Sequence, residues 1–78
     1  MIKAQYDMKG DSAYIYFADI GPGEVSFTYP CNPKEVKGMI NLDFSKDGKL
    51  IGVEVIGATK KLPREILESA ERIDKNNS

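Results

Sequence analysis

The sequence predicts an α+β fold: an antiparallel sheet of about five strands, built from hairpins, with one C-terminal helix packed on one face. Three observations carry that prediction. Between Ile2 and Ile56, short runs alternate apolar and polar residues at the period of two expected of half-buried strands, and clusters of Gly, Pro, Asp and Asn separate them. After Leu62-Pro63 the apolar spacing changes to the stripe of a helix lying on a sheet. The chain has only 78 residues, the size of one domain with one core. The expected division is sheet over residues 1–61, helix over 62–74 and a frayed polar tail over 75–78.

Ile2 to Tyr6 sets Ile2, Ala4 and Tyr6 against Lys3, Gln5 and Asp7, the pattern of a first strand. Asp7-Met8-Lys9-Gly10-Asp11 is turn chemistry, because two Asp side chains can bond nearby backbone N–H groups and Gly accepts positive φ. An antiparallel partner follows at once, over Ser12 to Ala18. That second strand is apolar or aromatic on both faces, with Ala13, Ile15 and Phe17 on one and Tyr14 and Tyr16 on the other. Both faces need cover, so a helix is expected on one side and a partner subunit or a tyrosine-lined groove on the other. Asp19-Ile20-Gly21-Pro22-Gly23 breaks the pattern. Glu24 to Tyr29 resumes it as a third strand, Pro30-Cys31-Asn32-Pro33 ends that strand, and Lys34 to Gly38 is expected to return the chain as a polar loop.

Met39 to Ile56 reads as a hairpin turning at Asp47-Gly48. Ile40, Leu42 and Phe44 share one face of its first strand, and Ile51, Val53 and Val55 share one face of its second. For those six to meet, paired residue numbers must sum to an odd value. A loop of two residues, Asp47-Gly48, or of four, Ser45 to Gly48, satisfies this, whereas three would bring Glu54 among the apolar set. The opposite face then carries Asn41, Asp43, Leu50, Gly52, Glu54 and Ile56. Gly52 weakens a strand interior by roughly 0.5–1 kcal/mol relative to Ala, so it is expected to mark a bulge or the close approach of a backbone or ring, a tyrosine being one candidate. Beyond the hairpin, Gly57 to Lys61 is a connector. Leu62-Pro63 opens a helix with proline at its first position, Ile66, Leu67, Ala70 and Ile73 form its buried stripe, Glu68 and Arg72 pair across a turn, and Arg72 and Lys75 lie near its end.

The same hairpin matches a calcium-loop pattern, with Asp43, Ser45, Asp47, Gly48 and Glu54 at positions 1, 3, 5, 6 and 12. Chelation by that pattern needs flanking helices to return the last Glu to the ion. Here the flanks are short, β-branched and alternating, and an antiparallel pair separates Asp43 from Glu54 along the ladder. No metal or cofactor is therefore expected.

Composition removes more functions than it indicates. With no histidine and a single cysteine, Cys31, the chain has no imidazole-based catalytic arrangement, no internal disulfide and no thiolate-rich zinc site. Eleven Lys plus Arg against twelve Asp plus Glu leave a net charge of −1 without any block of like charge, which argues against a dedicated nucleic-acid or membrane-surface protein. The first residues lack the apolar run of a signal peptide and no stretch approaches the ~20 apolar residues of a membrane helix, so a cytosolic protein is expected. Cys31 has no histidine to activate it and reads as a loop thiol between two prolines. Lys60, Lys61 and Arg64 form a small basic cluster of ordinary surface density.

Tyr6-Asp7, Asp11 to Ile15, Asn41 to Phe44 through Asp47-Gly48, Leu50 to Ile56 and Ala58 together resemble the small prokaryotic family catalogued as domain of unknown function 2283. The resemblance implies a compact antiparallel sheet with one helix. It transfers a fold and no activity; the position of some members beside small toxin-like genes implies an antitoxin-like or accessory role. The stretch Tyr29 to Gly38 departs from the shorter linker of the family.

The leading functional expectation is a non-catalytic module that self-associates as a homodimer through a sheet face or edge and holds a small protein partner. Tyr14, Tyr16, Asp7, Asp11, Gly52 and Glu54 are its candidate interaction or pocket residues. The alternatives are a nucleic-acid-associated regulator using Lys60, Lys61 and Arg64, a calcium-binding hairpin, and an enzyme using Asp7, Asp11, Asp43 and Glu54 as acid and base, which requires two of them to share a pocket.

Overall fold

The computed structural model describes residues 2–74 and shows one mixed, mostly antiparallel sheet of six strands with three short helices. The elements are β1 (Lys3–Asp7), β2 (Ser12–Tyr16), β3 (Phe27–Pro30), α1 (Pro33–Val36), β4 (Met39–Phe44), β5 (Leu50–Ile56), α2 (Ala58–Lys61), α3 (Arg64–Ser69) and β6 (Glu71–Arg72). Across the sheet the order is β3-β4-β5-β2-β1-β6. β1 and β6 run parallel and every other neighbouring pair is antiparallel. The tail expected over residues 75–78, with Lys75 at its start, lies outside the described residues.

The ladder from Met39↔Ile56 to Asp43↔Gly52 keeps the predicted odd sum, which brings Ile40, Leu42, Val53 and Val55 onto one face. The loop that closes it does not. Ser45 N–H donates to Lys49 O at 2.8 Å, so the loop is Lys46-Asp47-Gly48, with Gly48 at φ 82° supplying the left-handed residue that such three-residue loops require. A bulge between Asp43 and Phe44 reconciles the two registers: Phe44 pairs with Leu50, and Ile51 is the extra residue. Leu50 therefore joins Phe44 on the apolar face and does not lie on the opposite one as predicted.

The helix predicted over 62–74 is shortened to α3, and the stretch Gly57 to Lys61, expected to be a connector, holds the single helical turn α2. Leu62, held extended at ψ 147° before Pro63, separates α2 from α3, as the ring of a proline forces on the residue before it. Pro63 precedes α3 as its cap position and is not its first turn. α3 stops at Ser69, whose hydroxyl donates back to Glu65 O and Ile66 O, and Ala70 is extended at ψ 149°. The chain then pairs beside β1 through Gln5↔Glu71 and Tyr6↔Arg72. Ile73 consequently leaves the buried stripe and is exposed. Arg72 pairs with Asp74 at 2.8 Å, and Glu68 pairs with Arg64 at 3.9 Å instead of with Arg72.

Tyr6, Ala13, Val55 and Ala58 form the core, with Ile40, Val53, Leu62, Leu67 and Ala70 packed against them. These residues place it between α2, α3 and the β1–β2–β5 half of the sheet. The strip expected to be a polar loop after Pro33 contains α1, whose first turn is capped by Asn32 Oδ1 accepting from Lys34 and Glu35 N–H.

Candidate functional site

The face of the sheet away from the helices is built by strand alternation. Tyr14 pairs with Gln5 on one side and Glu54 on the other; Tyr16 pairs with Lys3 and Gly52; Glu54 pairs with Asn41, Gly52 with Asp43, and Asp43 with Thr28. Residues directly opposite one another share a face, so these side chains line one polar surface crossing β1, β2, β5, β4 and β3.

Gly52 is the hinge point of that surface. A Cβ built there would lie 2.6 Å from Tyr14 Cε1 and Cζ, so the tyrosine ring occupies the space a side chain would take. Lying across β5, Tyr14 reaches a strand further and donates its hydroxyl to Asp43 Oδ2 at 2.5 Å. Thr28 Oγ1 donates to Asp43 Oδ1 at 2.6 Å, so both carboxylate oxygens are engaged. Burial, and then the hydrogen bond to Asp43, hold the Tyr14 hydroxyl well above the usual tyrosine range. It is a neutral donor at any physiological pH.

Around this centre the other polar side chains are also paired. Asn41 Nδ2 donates to Glu54 Oε1 at 2.9 Å, Tyr16 OH to Gln5 Oε1 at 2.9 Å, and Gln5 Nε2 to Glu71 Oε1 at 3.2 Å. The Tyr14 and Tyr16 rings tilt against each other with centroids 4.7 Å apart, and the Lys3 ammonium lies 5.5 Å from the Tyr16 ring centroid. The surface is ordered by its own bonds.

Of the predicted site residues, Tyr14, Tyr16, Gly52 and Glu54 come together here. Asp7 and Asp11 do not. Asp7 Oδ1 accepts from Lys9 and Gly10 N–H and shapes the β1–β2 turn. Asp11, at φ 49°, faces the helix side: its carboxylate accepts from Tyr6 OH and from the N–H and hydroxyl of Thr59, and its carbonyl accepts from Gly57 and Ala58 N–H. It joins the first turn to the start of α2. The Thr59 hydroxyl is the main cause holding its carboxyl below the usual range.

The calcium pattern is dispersed over separate partners. Asp43 accepts from Tyr14 and Thr28, Asp47 from Ser45 within the turn, and Glu54 from Asn41. Among the described residues no three acidic or cysteine side chains are grouped to hold a metal ion. Of the carboxylates considered for acid and base roles, Asp43 and Glu54 share the polar face but line neither of two clefts found among the described residues. One cleft, of about 400 Å³, is lined by Asp19, Glu24, Ser45, Asp47 and Ile51 among others; the second, of about 230 Å³, lies by Ile2, Ala4, Ile15 and Ile66. The basic cluster is likewise divided, for Lys61 Nζ donates to Val36 O at 2.7 Å and Arg64 pairs with Glu68.

Asp43, Thr28, Asn41 and Gln5 belong to this surface and are absent from the predicted interaction set. Asp43 was legible as an ion ligand or an acid/base group and not as part of this surface, because its partner Tyr14 lies 29 positions away and is brought to it by pairing of non-consecutive strands. The exposed apolar side chains of β3 also lack a local signal, since only the reach of the helices decides which part of a face stays open.

The family model for protein of unknown function (DUF2283) matches residues 3–58, from β1 through β5 to the first residue of α2. No curated protein and no solved structure matches the chain.

Proposed function

The chain belongs to the DUF2283 family, and within it we propose that this protein is a non-catalytic interaction module that works as a homodimer. The observation that supports this is the reach of its helix layer. α2 and α3 pack on the β1–β2–β5 half of the sheet, while Phe27 and Tyr29 on β3 and Leu50 on β5 stay exposed. A second copy laid on that surface would bury apolar area that so short a chain has little other means to bury.

A non-catalytic role is supported by the chemistry that is present. There is no histidine, and the hydroxyls and carboxylates of the polar face are engaged with one another. The pre-ordered Tyr14 and Tyr16 rings favour that face for a small protein partner, since side chains already fixed lose little entropy on binding. An accessory role of the antitoxin-like kind fits such a two-sided module. No helix among the described residues is long and apolar enough to cross a membrane, and the free Cys31 fits a cytosolic setting.

Light scattering on the purified chain tests the proposal. The expected mass is twice the 8.7 kDa of one chain at micromolar concentration. A mass of one chain throughout the micromolar range overturns it.

A further inference from the structure

We propose that the tyrosine-bearing polar face docks a basic segment of a partner protein, with one cationic side chain seated against the Tyr14 and Tyr16 rings and the carboxylate of Glu54. This rests on the reading of that face as the partner surface and adds the chemistry of what it takes.

The face is satisfied in hydrogen bonds and unsatisfied in charge. Asp43 accepts from the hydroxyls of Tyr14 and Thr28, and Glu54 Oε1 accepts from the amide of Asn41, so each of these donors is neutral. Such donors fix the carboxylates in place and leave a full negative charge on each. Among the described residues the ion pairs are Arg64–Glu68 and Arg72–Asp74, and neither involves this face. Register sets Asp43, Glu54 and Glu71 here with Lys3, the one basic strand residue described on this side. Lys60, Lys61 and Arg64 lie in the helices over the opposite face. A chain with a net charge of only −1 therefore carries an acidic face, whose complement is a cation.

Lys3 shows what the rings accept. Its ammonium lies 5.5 Å from the Tyr16 centroid, and the Tyr14 and Tyr16 rings tilt at 53° with centroids 4.7 Å apart. Lys3 is exposed at the start of β1, so its contact is weak and readily replaced. Tyr14 stands directly opposite Glu54 in the ladder, which makes ring and carboxylate neighbours. No hydrogen bond among the described residues engages the second oxygen of Glu54. The Tyr14 hydroxyl is held above its usual range by burial first and then by Asp43, with Tyr16 and Glu54 adding; the two carboxylates make the field at that ring negative.

The surroundings select a protein segment. Neither of two clefts found among the described residues is lined by Tyr14, Tyr16, Asp43 or Glu54, so a free small cation would stay largely in water. A side chain carried on a partner brings neighbouring contacts with it. Met39, 55% exposed and paired with Ile56, continues the face past Asn41 and Glu54 and offers apolar surface to those neighbours. Nucleic acid is the wrong partner, because its phosphates would meet Asp43 and Glu54.

Titration of the isotope-labelled chain with Ser-Arg, Ser-Glu and Ser-Gln repeat peptides, followed by amide chemical shifts, tests the proposal. The Ser-Arg peptide is expected to shift Lys3, Tyr14, Tyr16, Gly52 and Glu54, and the Ser-Glu peptide is not. Two variants then move the Ser-Arg Kd in opposite directions. Glu54→Gln, which keeps an oxygen for Asn41 and removes the charge, raises it by about 5-fold; Lys3→Gln, which frees the Tyr16 ring at an exposed position, lowers it by about 2-fold. Damage to the fold would weaken both and does not imitate that pattern. Ser-Arg shifts confined to other acidic residues, a Kd unchanged in Glu54→Gln or a Kd raised in Lys3→Gln overturns the proposal. Ser-Gln or Ser-Glu bound on this face as tightly as Ser-Arg overturns the cation and leaves the partner face standing, whereas a face that no peptide shifts overturns both.

Discussion

Gly52 has no side chain because the ring of Tyr14 fills the place, and that single exchange of volumes connects β2, β5 and β4. Gly52→Ala must push the ring away and cost the bond to Asp43. We expect a loss of ~1–3 kcal/mol by thermal or urea unfolding, and a smaller loss from the same change made on a Tyr14→Ala background. The hydroxyl of Tyr14 carries a second prediction. Its pKa is raised in the fold, first by burial and then by Asp43, so its contribution is complete below the unfolded value of about 10 and is lost as pH rises above it. Wild type should therefore lose stability between pH ~10 and 11.5 more steeply than Tyr14→Phe, with the slope that remains in the variant coming in part from Tyr6, which is raised the same way. Equal slopes would contradict the bond. That some ring would close on Gly52 was legible from a glycine inside an otherwise apolar strand. Which atoms it would meet was not, since Asp43 and Thr28 arrive from strands distant in sequence.

At the scale of elements, the antiparallel hairpins β1–β2 and β4–β5 were legible because each strand has period two and each turn carries its own chemistry, whereas the pairing of β2 with β5 and the parallel β6 have no local signal. The hairpin loop shows where that reasoning fails. Counting residues favoured two or four because a bulge, which lets Ile51 stand outside the ladder, has no signature in a run as uniformly apolar as Leu50 to Val53. α1 was legible in principle, for Asn32-Pro33 is a cap followed by a helix-starting proline. The C-terminal helix was overextended because its stripe continues through Ile73, whereas pairing with β1 offered residues 71–72 a better use of their backbone groups. Asp11 and Thr59 join two such elements, and because the Asp11 carboxyl is held low, chiefly by the Thr59 hydroxyl, the link persists above the unfolded value of about 3.9 and is lost as pH falls through its lower folded value. Thr59→Val should lower the melting temperature at pH 7 and leave it nearly unchanged at pH ~2, where wild type has already lost the interaction. A deficit as large at pH 2 as at pH 7 would place the effect of Thr59 elsewhere.

For the whole molecule, the decisive fact is a core too small for its sheet. The buried apolar residues are Tyr6, Ala13, Ile51, Val55 and Ala58, and two short helices cannot cover the β3–β4 half as well. The need for cover was legible from a second strand that is apolar on both faces, but its location was not. β2 is satisfied by the core on one side and by its own polar network on the other, and the uncovered surface lies three strands away. If a second copy completes the fold, unfolding must depend on protein concentration. The most direct measurement is the urea midpoint of the wild-type chain followed over a hundredfold range of concentration. A dimer gains stability from mass action, up to about 2.7 kcal/mol per hundredfold, so the midpoint should rise steadily with concentration. A midpoint that stays fixed over that range would mean that the chain folds alone and would contradict the account.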